Sequence, residues 1–255
     1  MIFSEEVAWV TGSSTGIGRA CAVALAREGC KVAVHYNRSE DEAQGVVEEI
    51  ESSGGEAGGE ALLVGGDVAD AGEVKRMVGE VEDRFGRLDV LVNNAGSLIE
   101  RRTLEDMDED LWDRVMDVNL KSVYLCSQAA LPLMKRRGRG KIVNMTSVAA
   151  RSGGGPGSVA YATSKGGVST LTRAMAKELI GGGVIVNAVA PGIITTPFHE
   201  QFTPDAVREK MTGGIPIGRE GAPEEIAGAV VYLASPQSDY MVGEILEING
   251  GMLMA

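Results

Sequence analysis

Short apolar runs of strand length alternate along the chain with longer segments of helical period. The runs are almost continuous in Val, Ile, Leu and Ala, so they predict strands that are covered on both faces. Seven runs show this pattern, at Val7–Val10, Val32–His35, Leu62–Val64, Val90–Val92, Ile142–Met145, Val184–Val189 and Glu244–Ile248. Strands that alternate with helices predict right-handed crossovers, and therefore an α/β, doubly wound fold with a seven-stranded parallel sheet.

The segments between these runs predict the helices, several of which open with a Ser or Asp cap or an early Pro. They are Gly18–Glu28, Ser39–Ser52, Ala71–Phe85, Asp108–Arg137, Ser158–Ile180, Pro204–Met211 and Pro223–Ala234. A short repeat at 54–61 is interpreted as a lengthened surface loop. Because no Pro-, Ser- or charge-rich linker divides the chain, residues 1–255 are expected to form one domain, in which the irregular stretch 191–221 covers a site.

Composition narrows the possible partners. The formal charge of -12 disfavours binding to nucleic acid and to anionic lipid surfaces. No apolar run approaches the ~18 residues of a membrane-spanning helix, and the N-terminus lacks the features of a signal peptide, so a cytoplasmic protein is expected. The cysteines Cys21, Cys30 and Cys126 have no CxxC spacing, which predicts buried thiols and neither a disulfide nor a metal site.

A glycine-rich turn, Thr11–Gly18, follows the first predicted strand and leads into a helix. Glycines at this place let the backbone approach a pyrophosphate at the helix N-terminus, where free N–H groups favour an anion. A tight strand-to-helix turn without a ligand is the simpler alternative. The placement favours a dinucleotide, with the predicted binding residues Gly12, Ser14, Thr15, Gly16, Ile17 and Gly18.

The end of the second strand bears on the choice of dinucleotide. The acidic residue that usually binds the adenosine ribose is replaced by Tyr36, followed by Asn37, Arg38 and Ser39. Without that carboxylate, Arg38 and Ser39 can bind a 2′-phosphate through charge-assisted hydrogen bonds. NADP(H) is therefore favoured and NAD(H) remains possible, while the alternative for Arg38 is a solvated surface charge.

Tyr161 and Lys165 lie four residues apart on one predicted helix, so their side chains share a face. A fixed ammonium near a phenol, together with a cationic nicotinamide, is expected to lower the phenol pKa toward neutrality and make Tyr161 a proton donor and acceptor. The alternative is a partly exposed Tyr beside a solvated Lys. Ser147 at the end of the fifth strand, the turn Asn93–Gly96 and Asn119 supply further polar groups.

These motifs resemble the short-chain dehydrogenase/reductase family. The matching pieces are spread over the whole chain: Thr11–Gly18, Asp67-Val68, Asn93–Gly96, Asn119, Ser147, Tyr161 with Lys165, Pro191-Gly192 and Asn249–Gly251. The resemblance implies a Rossmann fold and hydride transfer between a nicotinamide and a ketone or secondary alcohol, without a metal. It further implies that Ser147 holds the reacting oxygen, Tyr161 transfers the proton, Lys165 binds the nicotinamide ribose, and Asn119 supports a water relay.

The remaining cofactor-binding residues are also predicted from this resemblance. They are Asp67, Val68, Asn94, Ala95, Gly96, Pro191, Gly192, Ile194 and Thr196, with Tyr161 and Lys165. The family commonly forms homotetramers, for which the apolar final segment Glu244–Ala255 is the sequence's own indication.

Two substrate classes compete. Gly218-Arg219 before Pro223–Ala227, and the ending Gly243–Met252, resemble 3-oxoacyl-(acyl-carrier-protein) reductases. Ile180–Gly183 lacks a basic residue expected for carrier docking, although other basic residues remain at Lys135, Arg136, Arg137 and Arg139.

Reductases of sugar-derived keto acids, such as keto-uronates, are the alternative. The loop Val148–Gly157 and the cover residues Phe198-His199 resemble those enzymes, and Arg101, Arg102 and Arg151 could hold a substrate carboxylate. A glucose-dehydrogenase-like polyol is a third possibility. Outside enzymes, a redox sensor that binds the dinucleotide without turnover and a structural partner protein are the alternatives.

Overall fold

A parallel sheet of seven strands with helices on both faces is the framework of the molecule, as the fold class predicted. The computed structural model describes residues 1–53, 59–202 and 205–254. The sheet order is β3-β2-β1-β4-β5-β6-β7 and every neighbouring pair is parallel. The strands are β1 Val7–Val10, β2 Lys31–Tyr36, β3 Ala61–Gly65, β4 Val90–Asn93, β5 Gly140–Met145, β6 Val184–Pro191 and β7 Ile245–Ile248.

The helices of the described ranges connect these strands. They are α1 Gly16–Arg27, α2 Glu40–Ser53, α3 Ala71–Phe85, α4 Glu109–Met116, α5 Ser122–Arg136, α6 Ala149–Ser152, α7 Val159–Leu179, α8 Pro197–Phe202, α9 Asp205–Thr212 and α10 Pro223–Ala234. Local sequence sets their ends. Asp70 caps α3 by accepting hydrogen bonds from Gly72 N and Glu73 N, and Gly86 ends it in the left-handed conformation, at φ 70°.

The sheet separates two apolar cores. Alternate residues of β1 point to opposite faces, so Ala8 and Val10 belong to the core under α1, α2 and α10, whereas Val7 and Trp9 belong to the core under α3, α5 and α7. All four side chains are fully buried. Coverage on both faces explains why the strands are continuously apolar in sequence.

Two predicted elements differ from the structure. The helix predicted at Asp108–Arg137 is divided by a π-helical turn at Asp117–Lys121, which holds the buried Asn119. The stretch 191–221 contains helix α8 where irregular chain was expected, whereas α9 lies where the helix Pro204–Met211 was predicted. The expected start of a helix at Pro204 and most of the surface-loop repeat, at 54–58, lie outside the described residues.

The three cysteines are free and buried, as predicted. None of the helices in the described ranges has the length and apolar character that a membrane crossing requires.

Candidate active site

The strand order reverses beside β1, which lies between β2 and β4. Open parallel sheets bind ligands in the crevice at the carboxyl ends of such strands. A cavity of about 920 Å³ opens there and runs from the glycine-rich turn to Tyr161. Apart from Asp67 and Asn119, every predicted catalytic or cofactor-binding residue lines this cavity.

The glycine-rich turn has the shape that a pyrophosphate requires. Gly12 and Gly16 have φ of 63° and 56°, a region in which a side chain would be strained. A Cβ at Gly18 would lie 2.2 Å from Gly12 O. No side chain caps α1 at Thr15, so the first N–H groups of this helix remain available to an anion.

Asn94 holds this turn against β4. Its Nδ2 donates hydrogen bonds to Thr11 O and Gly12 O, both at 2.9 Å. Thr11 also binds this segment, since its Oγ1 accepts hydrogen bonds from the backbone N of Asn94 and of Ala95, both at 3.0 Å. Asn94 therefore shapes the turn in addition to lining the cavity.

His35 is a residue of the site that the sequence reasoning missed. It lies in β2, only 1% exposed, and its ring contacts Gly12 N and Gly66 O. The sequence places His35 at the end of a buried apolar strand. Nothing in the sequence indicates that its ring reaches the two loops beside that strand.

The predicted adenosine end of the cavity is exposed. Tyr36, Asn37, Arg38 and Ser39 all line it, and Arg38 is open to solvent. Tyr36 packs on Gly65, where a Cβ would lie 2.6 Å from the phenol Cζ. The Tyr36 phenol is hydrogen-bonded to Glu40, which raises the pKa of Tyr36. Sequence reasoning did not anticipate this nearby carboxylate.

Asp67 is the predicted cofactor residue that the structure places differently. Its carboxylate accepts a hydrogen bond from Ala69 N at 2.8 Å, and Asp67 is not among the described residues that line the cavity. The adjacent Val68 is buried and does line it. The loop after β3 therefore presents an apolar side chain to the cavity.

Ser147 and Tyr161 meet at the opposite end. Burial raises the pKa of Tyr161 to about 12, and a hydrogen bond with the Ser147 hydroxyl acts in the opposite direction. Ser147 Oγ also accepts a hydrogen bond from Ala149 N at 3.1 Å, which ties the hydroxyl to α6. The phenol is therefore protonated at neutral pH.

Lys165 is buried below the tyrosine. Its Nζ lies 5.8 Å from the centroid of the Tyr161 ring and donates a hydrogen bond to Met145 O at 2.8 Å. Burial lowers the pKa of Lys165 to about 8. Among the protein's own groups, burial of the phenol has the largest effect on the Tyr161 pKa, and the lowering expected from Lys165 together with a cationic nicotinamide stays a prediction.

Asn119 supports the site from the π-helical turn. Its Nδ2 donates to Ser97 O at 2.6 Å and to Val115 O at 2.9 Å, and its Oδ1 accepts from Ser97 N at 3.1 Å. A Cβ at Gly96 would lie 2.6 Å from Asn119 Oδ1 and 3.2 Å from Lys165 Nζ. The missing side chain of Gly96 thus lets Asn119 and Lys165 lie close together.

Aromatic residues of α8 form one wall above Tyr161. The ring centroids of Phe198 and Tyr161 are 5.7 Å apart, and those of Phe198 and Phe202 are 5.0 Å apart. Arg101 connects α8 to the loop before α7, since its Nε donates to Phe202 O at 2.7 Å and its Nη1 to Pro156 O at 3.1 Å. The side chain of His199, considered in the sequence as part of the cover, is not among the described side chains.

The three arginines considered as a carboxylate clamp do not converge. Arg101 lines the cavity. Arg102 instead pairs with Glu100 at 2.5 Å, and Arg151 with Glu247 at 3.5 Å. The clamp proposed for a keto acid is therefore reduced to Arg101.

The basic residues considered for carrier docking lie near the amino ends of the strands, whereas the cavity lies at the carboxyl ends. Helix α5 starts beside the π-helical turn at the cavity and ends next to the beginning of β5. At that end Arg136 pairs with Glu82, Arg137 with Asp89 and Arg139 with Glu6. These ion pairs lie at the end of α5 away from the π-helical turn that holds Asn119, and their arginine side chains stay partly exposed.

Comparison with known proteins places these features in context. The chain matches the family model described as enoyl-(acyl carrier protein) reductase over residues 12–253. It is 44% identical over 247 residues to the 3-oxoacyl-[acyl-carrier-protein] reductase FabG of Staphylococcus aureus, covering 97% of this chain and 98% of that one.

Two further relatives cover almost the whole chain. The 3-oxoacyl-[acyl-carrier-protein] reductase of Synechocystis sp. is 44% identical over 256 residues, covering 98% of each chain. The short-chain reductase protein NovJ of Streptomyces niveus is 42% identical over 256 residues, covering 98% of this chain and 95% of its own.

Proposed function

Because the chain belongs to the short-chain dehydrogenase/reductase family, we propose that it is an NADPH-dependent reductase of 3-oxoacyl thioesters. Membership makes it an NAD(P)-dependent oxidoreductase that acts on C=O and CH–OH groups. The observation that carries the proposal is the protonated Tyr161 phenol, hydrogen-bonded to Ser147 at the inner end of a cavity large enough for a dinucleotide and a substrate.

The proposed mechanism assigns each polar group one task. The bound nicotinamide supplies the hydride for the carbonyl carbon. Ser147 Oγ and Tyr161 Oη hold the carbonyl oxygen, and Tyr161 gives it the proton that completes the alcohol. A phenol with a pKa of about 12 carries that proton throughout the neutral range and can therefore act as the donor in reduction.

Lys165 and Asn119 act behind the tyrosine in this proposal. The Lys165 ammonium, held by Met145 O, adds positive charge beside the phenolate that forms when Tyr161 gives up its proton. Asn119 fixes the Ser97 backbone and hence the turn after β4. We propose these roles and the water relay at Asn119 together, since both side chains lie against Gly96.

The preference for NADPH is supported by the adenosine end of the cavity. Arg38 and Ser39 line it and can donate to a 2′-phosphate, and β2 ends in Tyr36 where a ribose-binding carboxylate is usual. Glu40 acts against this preference, because its carboxylate lies within hydrogen-bonding distance of the Tyr36 phenol. We propose that the attraction of Arg38 for the 2′-phosphate exceeds the repulsion by Glu40.

A 3-oxoacyl thioester fits the cavity better than a keto acid does. The residues that line the cavity include Leu98, Ile193, Phe198, Met211 and Met252, whose apolar side chains suit an acyl chain. Two relatives are named for 3-oxoacyl substrates on a carrier protein. Arg101 is already bonded to two backbone carbonyls, which reduces its capacity to hold a substrate carboxylate.

The test is a steady-state comparison of substrates with NADPH and with NADH. The panel contains acetoacetyl-coenzyme A, acetoacetyl-carrier protein, a keto-uronate and a polyol with the oxidised cofactors. We expect the highest kcat/KM with NADPH and a thioester. A higher kcat/KM for the keto-uronate would identify sugar-derived keto acids, and not 3-oxoacyl thioesters, as the substrate class. Tight cofactor binding without turnover of any compound would indicate a redox sensor.

Three architectural predictions remain part of the proposal. Residues 1–255 act as one domain, and 191–221 cover the substrate, as the contacts of α8 with Tyr161 support. Self-association as a tetramer is supported by exposed apolar side chains near the end of the chain, at Tyr240, Val242 and Met254. Analytical ultracentrifugation tests the tetramer, and a monomer would refute it.

A further inference from the structure

We propose that His35 is a positioning residue for dinucleotide binding, which holds the glycine-rich turn and the loop after β3 in one fixed arrangement. His35 Nδ1 accepts a hydrogen bond from Gly12 N at 2.8 Å, and His35 Nε2 contacts Gly66 O at 2.9 Å. Gly12 and Val68, two residues beyond Gly66, both line the cavity. One ring thus connects two loops that meet at the proposed cofactor site.

The partners define the state of the ring. Because the Gly12 backbone N is a donor, Nδ1 must be the unprotonated nitrogen, and the proton on Nε2 is donated to the Gly66 carbonyl. Burial lowers the pKa of His35 to about 4, and the hydrogen bond with Gly66 O and the Asp67 carboxylate act in the opposite direction. His35 is therefore a neutral ring with a single usable tautomer.

The surroundings fix the orientation of this ring. Trp9 of β1 contacts it edge-on, with centroids 6.4 Å apart and planes inclined by 77°. The backbone of His35 is also bound to the turn, since His35 N donates to Ser13 Oγ at 2.8 Å and His35 O accepts from Ser13 N at 2.9 Å. These contacts hold the imidazole in the orientation in which Nδ1 accepts the hydrogen bond of Gly12 N.

The consequence concerns the backbone of Gly12. With φ at 63° this residue has a left-handed backbone, and its N–H donates to the His35 ring. Without an acceptor there, a partly buried N–H would lose its partner, and the turn would rearrange to satisfy it. The pyrophosphate cradle would then have to be reformed on binding, at a cost in affinity.

Two substitutions separate the two contacts. In His35→Asn, the amide Oδ1 occupies the place of Nδ1 and can accept from Gly12 N, but the side chain is too short to reach Gly66. In His35→Gln, the amide reaches the place of Nε2 and can donate to Gly66 O, but Gly12 N loses its acceptor. The two variants therefore remove one hydrogen bond each from the same buried position.

The experiment measures the dissociation constant of NADPH by its fluorescence, without substrate. We expect His35→Asn to stay within about threefold of the unaltered protein and His35→Gln to bind about tenfold more weakly, as the loss of one satisfied buried donor implies. The KM for NADPH should follow the same order, with a smaller change in kcat. Val32→Ala is the control. It creates a cavity in the same strand away from the turn, so it should lower the melting temperature and leave the affinity for NADPH unchanged.

Each outcome is decisive. Equal affinity in all three variants, or weaker binding by Asn than by Gln at similar melting temperatures, would overturn the assignment of Gly12 as the relevant partner. This inference rests on the proposed dinucleotide site. If the unaltered protein does not bind NADPH, the proposed function fails, whereas normal binding with no effect at position 35 refutes only the role of His35.

Discussion

The two ends of the cavity differ in how they hold their polar groups. At the inner end Lys165 and Asn119 are buried and bonded to backbone groups, and Tyr161 contacts Ser147. At the outer end Arg38 is exposed, and the charges near it include both a cation and the Glu40 carboxylate. Proton transfer needs a fixed geometry and shifted pKa values, whereas discrimination between two cofactors needs only a local balance of exposed charge. We therefore expect large effects from substitutions at the inner end and small ones at the outer end.

The largest expected effect is that of Tyr161→Phe. This change removes the transferable proton and leaves the ring in contact with Phe198, so kcat for reduction should fall at least about a hundredfold. NADPH binding, measured by fluorescence, should change little. Tyr124→Phe is the matched control, because Tyr124 is exposed on α5 and its hydroxyl accepts a hydrogen bond from Gln128. A rate near normal for Tyr161→Phe would remove the tyrosine from proton transfer.

Lys165 predicts how the reduction depends on pH. Its pKa of about 8 lies far below that of Tyr161, at about 12, so the lysine loses its charge while the phenol is still protonated. If the reaction needs the ammonium, kcat/KM should decrease as pH rises through about 8, by roughly tenfold between pH 7 and pH 9. In Lys165→Arg the decrease of kcat/KM should move to higher pH, because the guanidinium stays charged. A profile that is flat to pH 10 would contradict the role of the ammonium.

These two residues also show what the sequence could predict. The apolar runs gave the sheet and its parallel connections, and the four-residue spacing placed Tyr161 and Lys165 on one helical face, as the structure shows in α7. The direction of the Tyr161 pKa shift could not be predicted in the same way. It depends on the burial of the phenol, which is set by packing from several distant segments of the chain.

The same limitation applies to residues whose function depends on a neighbour in space. His35 reaches Gly12 and Gly66 across three chain segments, and Glu40 reaches Tyr36 through the start of α2. The basic residues from Lys135 to Arg139 were associated with the site by charge alone. The direction of α5 places them near the amino ends of the strands, whereas the cavity lies at the carboxyl ends.

At the outer end, Arg38→Ala should weaken NADPH about fivefold and leave NADH almost unchanged, because the guanidinium is exposed and its interaction is screened. Dissociation constants for both cofactors, at low and at physiological salt, provide the measurement. The difference should shrink at higher salt. Equal effects on both cofactors would return Arg38 to a solvated surface charge.

The smallest expected effect comes from Glu40→Gln, which tests the balance of charge beside Arg38. Glu40 accepts the hydrogen bond of the Tyr36 phenol, and its negative charge opposes a 2′-phosphate bound near Arg38. Removing that charge should tighten NADPH binding by about two- to threefold and leave NADH unaffected, as expected of one exposed charge. Glu42→Gln is the control, since Glu42 is exposed in the same first turn of α2. If Glu40→Gln weakens NADPH instead, the carboxylate orients Tyr36 for the cofactor, and the outer end is held as specifically as the inner one.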